Sequence, residues 1–265
     1  MFVHDTLLNR LKRGCETMAY PAGPAPALPD GHGGALRVEA AKCQAGCSAC
    51  VAVCPTEAMT RPPRQPVALD LGRCIFCAEC VKVCSAGAIT QTGDHRMAVR
   101  RREDLKLGDA GKEQLRLAAA LGEELRRLFG RSLKLRQVSA GGCAACEADT
   151  NVLGTIGWDL GRFGIQFVAS PRHADGLLIT GPVSKNMELA LKKTYAAVPD
   201  PKIVIAVGAC AIAGGPFVGH PQVHNGVAAL LPVDLFIPGC PPHPLTILDG
   251  LLRLLGRLEE SGRKS

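Results

Sequence analysis

The chain has 265 residues, of which 47% are apolar and 4% aromatic, with 30 glycines, 19 prolines, 13 cysteines and a formal net charge of +7. That length is too great for one small metal-bound module and suits two domains, one small and cysteine-rich and one with an ordinary apolar core. Basic residues not interleaved with aromatics exclude a nucleic-acid platform, and no apolar run approaches the roughly 20 residues of a membrane-spanning helix. Residues 1–20 show no secretory signal pattern, so the cysteines are expected in a reducing compartment and any membrane association is expected to be peripheral.

At the start, Val3, Leu7, Leu8 and Leu11 fall on one helical face with Arg10, Lys12 and Arg13 around it, which predicts an amphipathic docking helix. Residues 20–34 are rich in Pro and Gly and predict an extended strap, so 1–35 is read as one docking segment. Residues 36–105 hold two cysteine runs separated by a hairpin-like stretch from Arg61 to Leu71, and the likeness of the two runs marks an internal repeat. The charges Arg100, Arg101, Arg102, Glu103 and Asp104 read as a solvated hinge. Leu117, Leu121, Leu125 and Leu128 recur at helical spacing, which predicts a linker helix within 106–131.

From 132 to 265 short apolar runs alternate with helical stretches. Strands are expected at Leu133–Val138, Gly164–Ala169, Gly176–Thr180, Lys202–Val207 and Asp234–Ile237, and helices at 147–162, 185–197 and 244–258. That order implies a parallel sheet with helices on its faces, and such sheets carry their chemistry beyond the carboxyl ends of the strands. The fold class expected for the whole is an α+β ferredoxin-like two-cluster domain followed by an α/β parallel-sheet, flavodoxin-like domain.

Twelve of the thirteen cysteines form three sets of four. The run C-x2-C-x2-C-x3-C-P gives three ligands to one 4Fe-4S cluster and its fourth to another. The second run, CIFCAECVKVC, keeps that spacing but ends in Ser85, where proline is usual. The first, CQAGCSACVAVCP, has one extra residue between Cys43 and Cys47. By the reciprocal rule one cluster takes Cys43, Cys47, Cys50 and Cys84, and the other Cys74, Cys77, Cys80 and Cys54. Zinc also accepts four cysteines, but usually from two CxxC units across a longer gap, so two full runs favour iron and sulfur. The third set is Cys143, Cys146, Cys210 and Cys240. On spacing alone it is open to a redox dithiol with two core thiols, but GGCAAC, VGACAIAGG and IPGCPP place glycine at each strand end, where backbone can approach a bulky ligand. Cys15 is left over and reads as a buried small apolar residue. His220, His224 and His243 read as surface or structural.

The pieces GGCAACEAD, RFGIQFVASPRHADGLLITGPVSKNM, TYAAVPDPKIVIAVGACAIAGG and VDLFIPGCPPHPLTILDG closely resemble the small subunit of membrane-bound NiFe hydrogenases, in particular the formate hydrogenlyase type. They also resemble its complex I relative, which holds the last cluster before quinone. Those relatives carry two adjacent cysteines where this chain has Cys143 and Cys146 apart, a difference that favours the hydrogenase side. The first half, through Tyr20-Pro21, LGRCIFCAECVKVC and MAVRRREDL, resembles the two-cluster subunit of the same complexes. The chain therefore resembles a fusion of two subunits.

The resemblance implies an electron-transfer subunit on the cytoplasmic side of the inner membrane, peripheral, with three 4Fe-4S clusters. It implies as partners a NiFe hydrogenase-type large subunit, other subunits of a membrane-bound complex, and a formate dehydrogenase or a ferredoxin as electron donor. No catalytic residue is expected in this chain. Glu147 matches an acid that would move protons, with the start of a helix as its other reading; Arg172 and His173 match a loop that would tune the third cluster. Two rivals stand beside this reading: a complex I-like or hydrogenase-related quinone-linked complex without nickel, and a zinc-bound structural adaptor.

Overall fold

The computed structural model describes residues 2–63, 65–108 and 114–258. The side chain of Val3, residues 109–113 of the expected linker and residues 259–265 lie outside the described residues.

The first part opens with α1 (Phe2–Arg13) and then carries only short pieces: β1 (Leu36–Val38), α2 (Ala49–Ala52), β2 (Met59–Thr60), β3 (Ala68–Asp70), α3 (Glu79–Lys82), β4 (Ile89–Gln91) and β5 (Lys106–Leu107). β1 pairs antiparallel with β4, and β2, β3 and β5 form a second antiparallel sheet, in which β2 and β3 make the expected hairpin. Because β5 pairs with β3, this unit runs to Leu107, past the expected boundary at 105. Its core includes Cys50, Cys74 and Cys80 beside Leu36, Val38, Met59, Leu69 and Leu71, so thiols stand where a larger domain would place more apolar side chains.

The second part contains α4 (Glu123–Phe129), β6 (Leu133–Ser139), α5 (Ala145–Val152), β7 (Ile165–Phe167), β8 (Gly176–Thr180), α6 (Lys185–Ala197), β9 (Ile203–Val207), α7 (Ala209–Ala213), β10 (Leu235–Ile237) and α8 (Pro244–Leu254). All five strands are parallel, in the order β7-β6-β8-β9-β10. Counted within this part the order is 2-1-3-4-5, the flavodoxin-like arrangement, whose crevice lies at the carboxyl ends of the first and third strands. Every residue of β8 and β9 is buried, as expected of a sheet covered on both faces.

α8 is buried along its whole length. Gly250 permits this, since a Cβ there would meet Ala98 Cβ at 2.8 Å. Its one carboxylate, Asp249, accepts from Arg253 Nε at 2.8 Å and from Tyr20 Oη at 3.1 Å. Arg162 donates to the carbonyls of Met18 at 2.6 Å and Tyr20 at 2.7 Å. The beginning of the strap is therefore fixed to the second part.

Two expectations are corrected. The leucine spacing from 117 to 128 yields a helix only from Glu123, because Ala118 N–H donates to the Ala98 carbonyl and Leu121 N–H to that of Leu254, and those partners hold the preceding chain extended. The charged run 100–104 is not a solvated hinge. Asp104 is buried, Arg102 forks onto Asp70, and Arg100 Nε donates to the Asp234 carbonyl at 2.6 Å. Just before it, Val99 exchanges two main-chain bonds with Phe236 of β10, at 3.0 and 2.9 Å, which joins the first part to the edge of the parallel sheet.

Candidate metal centres

Four helices begin one residue before a cysteine: Cys50 in α2, Cys80 in α3, Cys146 in α5 and Cys210 in α7 are each second in their helix. First-turn amides have no helical acceptor and are free to face a thiolate or an inorganic sulfide. The backbone before two of them turns through left-handed positions, Ala78 at φ +62° and Ala144 at +70°. The repeat seen in the sequence recurs here. Gly46 and Phe76, each just before the second cysteine of its run, have φ of +76° and +58°, and Ala58 and Ala88 donate amides to Cys54 Sγ at 3.2 Å and Cys84 Sγ at 3.3 Å.

The first two sets surround cavities. Cys43, Cys47, Cys50 and Cys84 line one, together with Val38, Val67 and Ile89. Cys54, Cys74, Cys77 and Cys80 line the other, with Met59 and Leu69. Cys84 thus lies with the first run and Cys54 with the second, the grouping that an exchange of fourth ligands would require. Burial, then the neighbouring thiols, push Cys50 above its ordinary range. Burial likewise lifts Cys80 to about 11 and Cys74 to about 12, the latter against an amide bond from Phe76. Thiols raised in this way need a compensating cation to ionise, and bound iron would supply that charge. Among the described residues no group of three His, Cys, Asp or Glu side chains converges on a point fit for a single ion. The four-thiol donor chemistry, the cavities and the sulfur-directed amides fit 4Fe-4S clusters.

Cys143 follows β6, Cys210 follows β9 and Cys240 follows β10, while Cys146 lies in the first turn of α5. The four are electrostatic neighbours of one another at the carboxyl edge of the sheet, with Cys146 pushed to about 12 and Cys210 to about 11, by burial first and then by the other thiols. Cys143 and Cys240 are exposed. Glycine makes the approach possible, since a Cβ on Gly208 would lie 2.6 Å from Cys146 Sγ and one on Gly215 2.7 Å from Cys210 Sγ. Glu147 points into the crevice and accepts from Ser139 Oγ and Thr180 Oγ1, each at 2.6 Å. Burial alone would raise its pKa, but these two bonds outweigh it and hold the carboxyl below the usual range.

The other candidates lie elsewhere. Arg172 and His173 are exposed on the turn Pro171–His173 leading to the start of β8, whereas the cysteines follow strand ends, so the structure does not bring this pair to the third set. Cys15 is exposed rather than buried. His243 caps α8 by accepting from Leu245 N–H at 3.1 Å and stands edge-on to His32 and Trp158. His220 accepts from Gln222 N–H, and His224 lies 2.7 Å from Glu188. Sequence reasoning missed Arg61, whose guanidinium donates to the carbonyls of Gln44, at 3.2 Å, and Cys47, and lies 3.7 Å from Cys43 Sγ. The added residue in the Cys43–Cys47 loop was the available signal, because a widened loop presents carbonyls in need of a donor.

Residues 143–254 match the family described as NADH ubiquinone oxidoreductase, 20 Kd subunit, and residues 42–88 match a 4Fe-4S dicluster domain. The chain is 42% identical over 135 residues to a probable membrane-bound hydrogenase subunit mbhJ of Pyrococcus furiosus, covering 51% of this chain and 81% of that one. It is 43% identical over 126 residues to a subunit of the NADH-quinone oxidoreductase of Clostridium beijerinckii, covering 46% and 75%. Among solved structures, a chain of an archaeal membrane-bound sulfane sulfur reductase aligns with 32% identity and a TM-score of 0.45, over 54% of this chain and 78% of that one.

Proposed function

The chain belongs to the family of the 20 Kd subunit of NADH ubiquinone oxidoreductase, and from that premise we propose that it is the electron-transfer subunit of a membrane-associated NiFe hydrogenase of the formate hydrogenlyase type. The carrying observation is the gathering of twelve cysteines into three sets of four, two lining cavities in the first part and one at the crevice edge of the parallel sheet. Each 4Fe-4S cluster, when bound, supplies reversible one-electron chemistry.

The protein's own residues would hold and arrange these centres. Cys43, Cys47, Cys50 and Cys84 would hold the first, Cys54, Cys74, Cys77 and Cys80 the second, and Cys143, Cys146, Cys210 and Cys240 the third. Amides of Ala58, Phe76 and Ala88 donate to ligand sulfurs, which stabilises the thiolate form. Gly72, two residues before Cys74, lies against Ile212, two residues after Cys210. The second set would therefore be the neighbour of the third, with the first as the more distant centre. A large subunit would sit against the exposed Cys143 and Cys240, and Glu147, held between Ser139 and Thr180, would carry a proton there. A formate dehydrogenase or a ferredoxin would deliver electrons at the first set, on the cytoplasmic side of the membrane. Among the described residues no helix is long and apolar enough to cross a membrane.

The second reading, a quinone-linked complex without nickel, is favoured by the 43% identity to a quinone oxidoreductase subunit. Purification of the chain with its native partners under anaerobic conditions, followed by iron and nickel analysis, separates the two. About twelve irons per chain, four for each cluster, with about one nickel per complex supports the hydrogenase. The same iron without nickel supports the quinone-linked complex, and zinc in place of iron would mark a structural adaptor and overturn both.

A further inference from the structure

One contact between the two cysteine-bearing parts is made at Gly72, beside an ion pair of the first part. Arg102 donates from Nη1 to Asp70 Oδ1 at 2.7 Å and from Nη2 to Oδ2 at 2.6 Å, with the two side chains 22% and 15% exposed. Asp70 Oδ1 also accepts from Gly72 N–H at 2.9 Å, and the Asp70 carbonyl accepts from Cys74 N–H at 3.1 Å. One carboxylate residue thus braces the loop that carries Cys74 through both its side chain and its main chain. Across the contact, Ile212 is 3% exposed in α7, the helix that carries Cys210. A Cβ on Gly72 would sit 2.7 Å from Arg102 Cζ and 2.8 Å from Ile212 Cγ2. A free arginine tip would step aside, but this one is pinned by a two-pronged bond whose planar fork fixes its orientation.

We propose that Asp70 and Arg102 are positioning residues that, with Gly72, press the loop of Cys74 against the helix of Cys210 and so set the spacing between the second and third cysteine sets. Neither residue contacts a ligand sulfur; each acts through the loop it holds. Electron tunnelling falls steeply with distance, so a small opening of this contact slows transfer while each centre remains intact. The proposal rests on the electron-transfer reading and deepens it by assigning the junction that reading requires.

Arg102→Ala removes the fork, Gly72→Ala wedges a methyl group into the contact without changing charge, and Arg102→Lys keeps the charge without the planar fork. Lys192→Ala, which breaks an exposed pair with Glu188 on α6, serves as control. Each is made in the full chain within its native complex, and iron content, the magnetic coupling between reduced centres in EPR, and the rate of electron arrival at the third centre are measured. Arg102→Ala and Gly72→Ala are expected to keep their iron, weaken the coupling and slow transfer severalfold. Arg102→Lys is expected to recover part of the loss, and the control to match wild type. Iron-loaded Arg102→Ala and Gly72→Ala with wild-type coupling and rate overturn the positioning role. Loss of iron from both overturns it too, by making the pair a requirement for folding. A wild-type complex without iron-sulfur signals sinks the electron-transfer reading itself, and this role with it.

Discussion

Arg61 is the single side chain that most distinguishes the first cysteine set from the second. Its guanidinium clips the widened Cys43–Cys47 loop by two carbonyls and brings a positive charge beside Cys43. Reduction adds negative charge to a centre already ringed by thiolates, so a nearby cation favours the reduced form and raises the potential. Arg61→Gln is therefore expected to lower the midpoint potential of the first centre in an EPR-monitored titration while leaving the other two in place; equal potentials would show that Arg61 only shapes the loop. At this scale the sequence was very informative about ligands and poor about their neighbours. The cysteine groupings expected from spacing and strand-end positions line common cavities or share one sheet edge, because such spacing is local. Arg61, Asp70 and Arg102 were not legible, since their partners lie 14, 32 and 32 residues away along the chain.

Among the elements the pattern is similar, with reversals at 117–122 and in the second half of 147–162, where α5 ends at Val152. β8 and α6 occupy the predicted Gly176–Thr180 and 185–197, because a continuous apolar run and a strong 3.6-residue period are intrinsic signals. The leucines at 117–121 carried such a period too, yet main-chain bonds to Ala98 and Leu254 override it. Helix α7 shows how closely an element can depend on one residue. Gly208 precedes it at φ +89° with Cys146 Sγ where a Cβ would stand. Gly208→Ala is expected to strain the backbone by about 1 kcal/mol or more and to drive the Cys146 thiol from its place. The measurable result is loss of about four of twelve irons, with the third EPR signal absent and the first two retained; a full complement of iron would show that the edge yields. Helix α1 stands apart from the rest, since Leu7 and Leu11 remain 59% and 80% exposed.

On the scale of the whole molecule, the two parts hold themselves together by different means. The second has a five-stranded parallel sheet and a fully buried helix, whereas the first has strands of two or three residues and cysteines in its core. A unit so small is normally stapled by metal. Bleaching the clusters and chelating the iron is expected to open residues 36–108 to limited proteolysis while a fragment beginning near 132 survives; equal resistance of both would show that the first part stands on its apolar contacts alone. The domain order and the parallel sheet were legible from the alternation of strand and helix, but the seam between the parts was not, since it includes the pairing of Val99 with Phe236, residues unremarkable in the sequence. Val99 adds itself antiparallel to the edge of a sheet, which is how one protein captures an extended peptide of another, with main-chain bonds giving attachment and little demand on side chains. The covalent connection then acts as a local concentration term, so an edge contact too slight to bind in trans is occupied in cis.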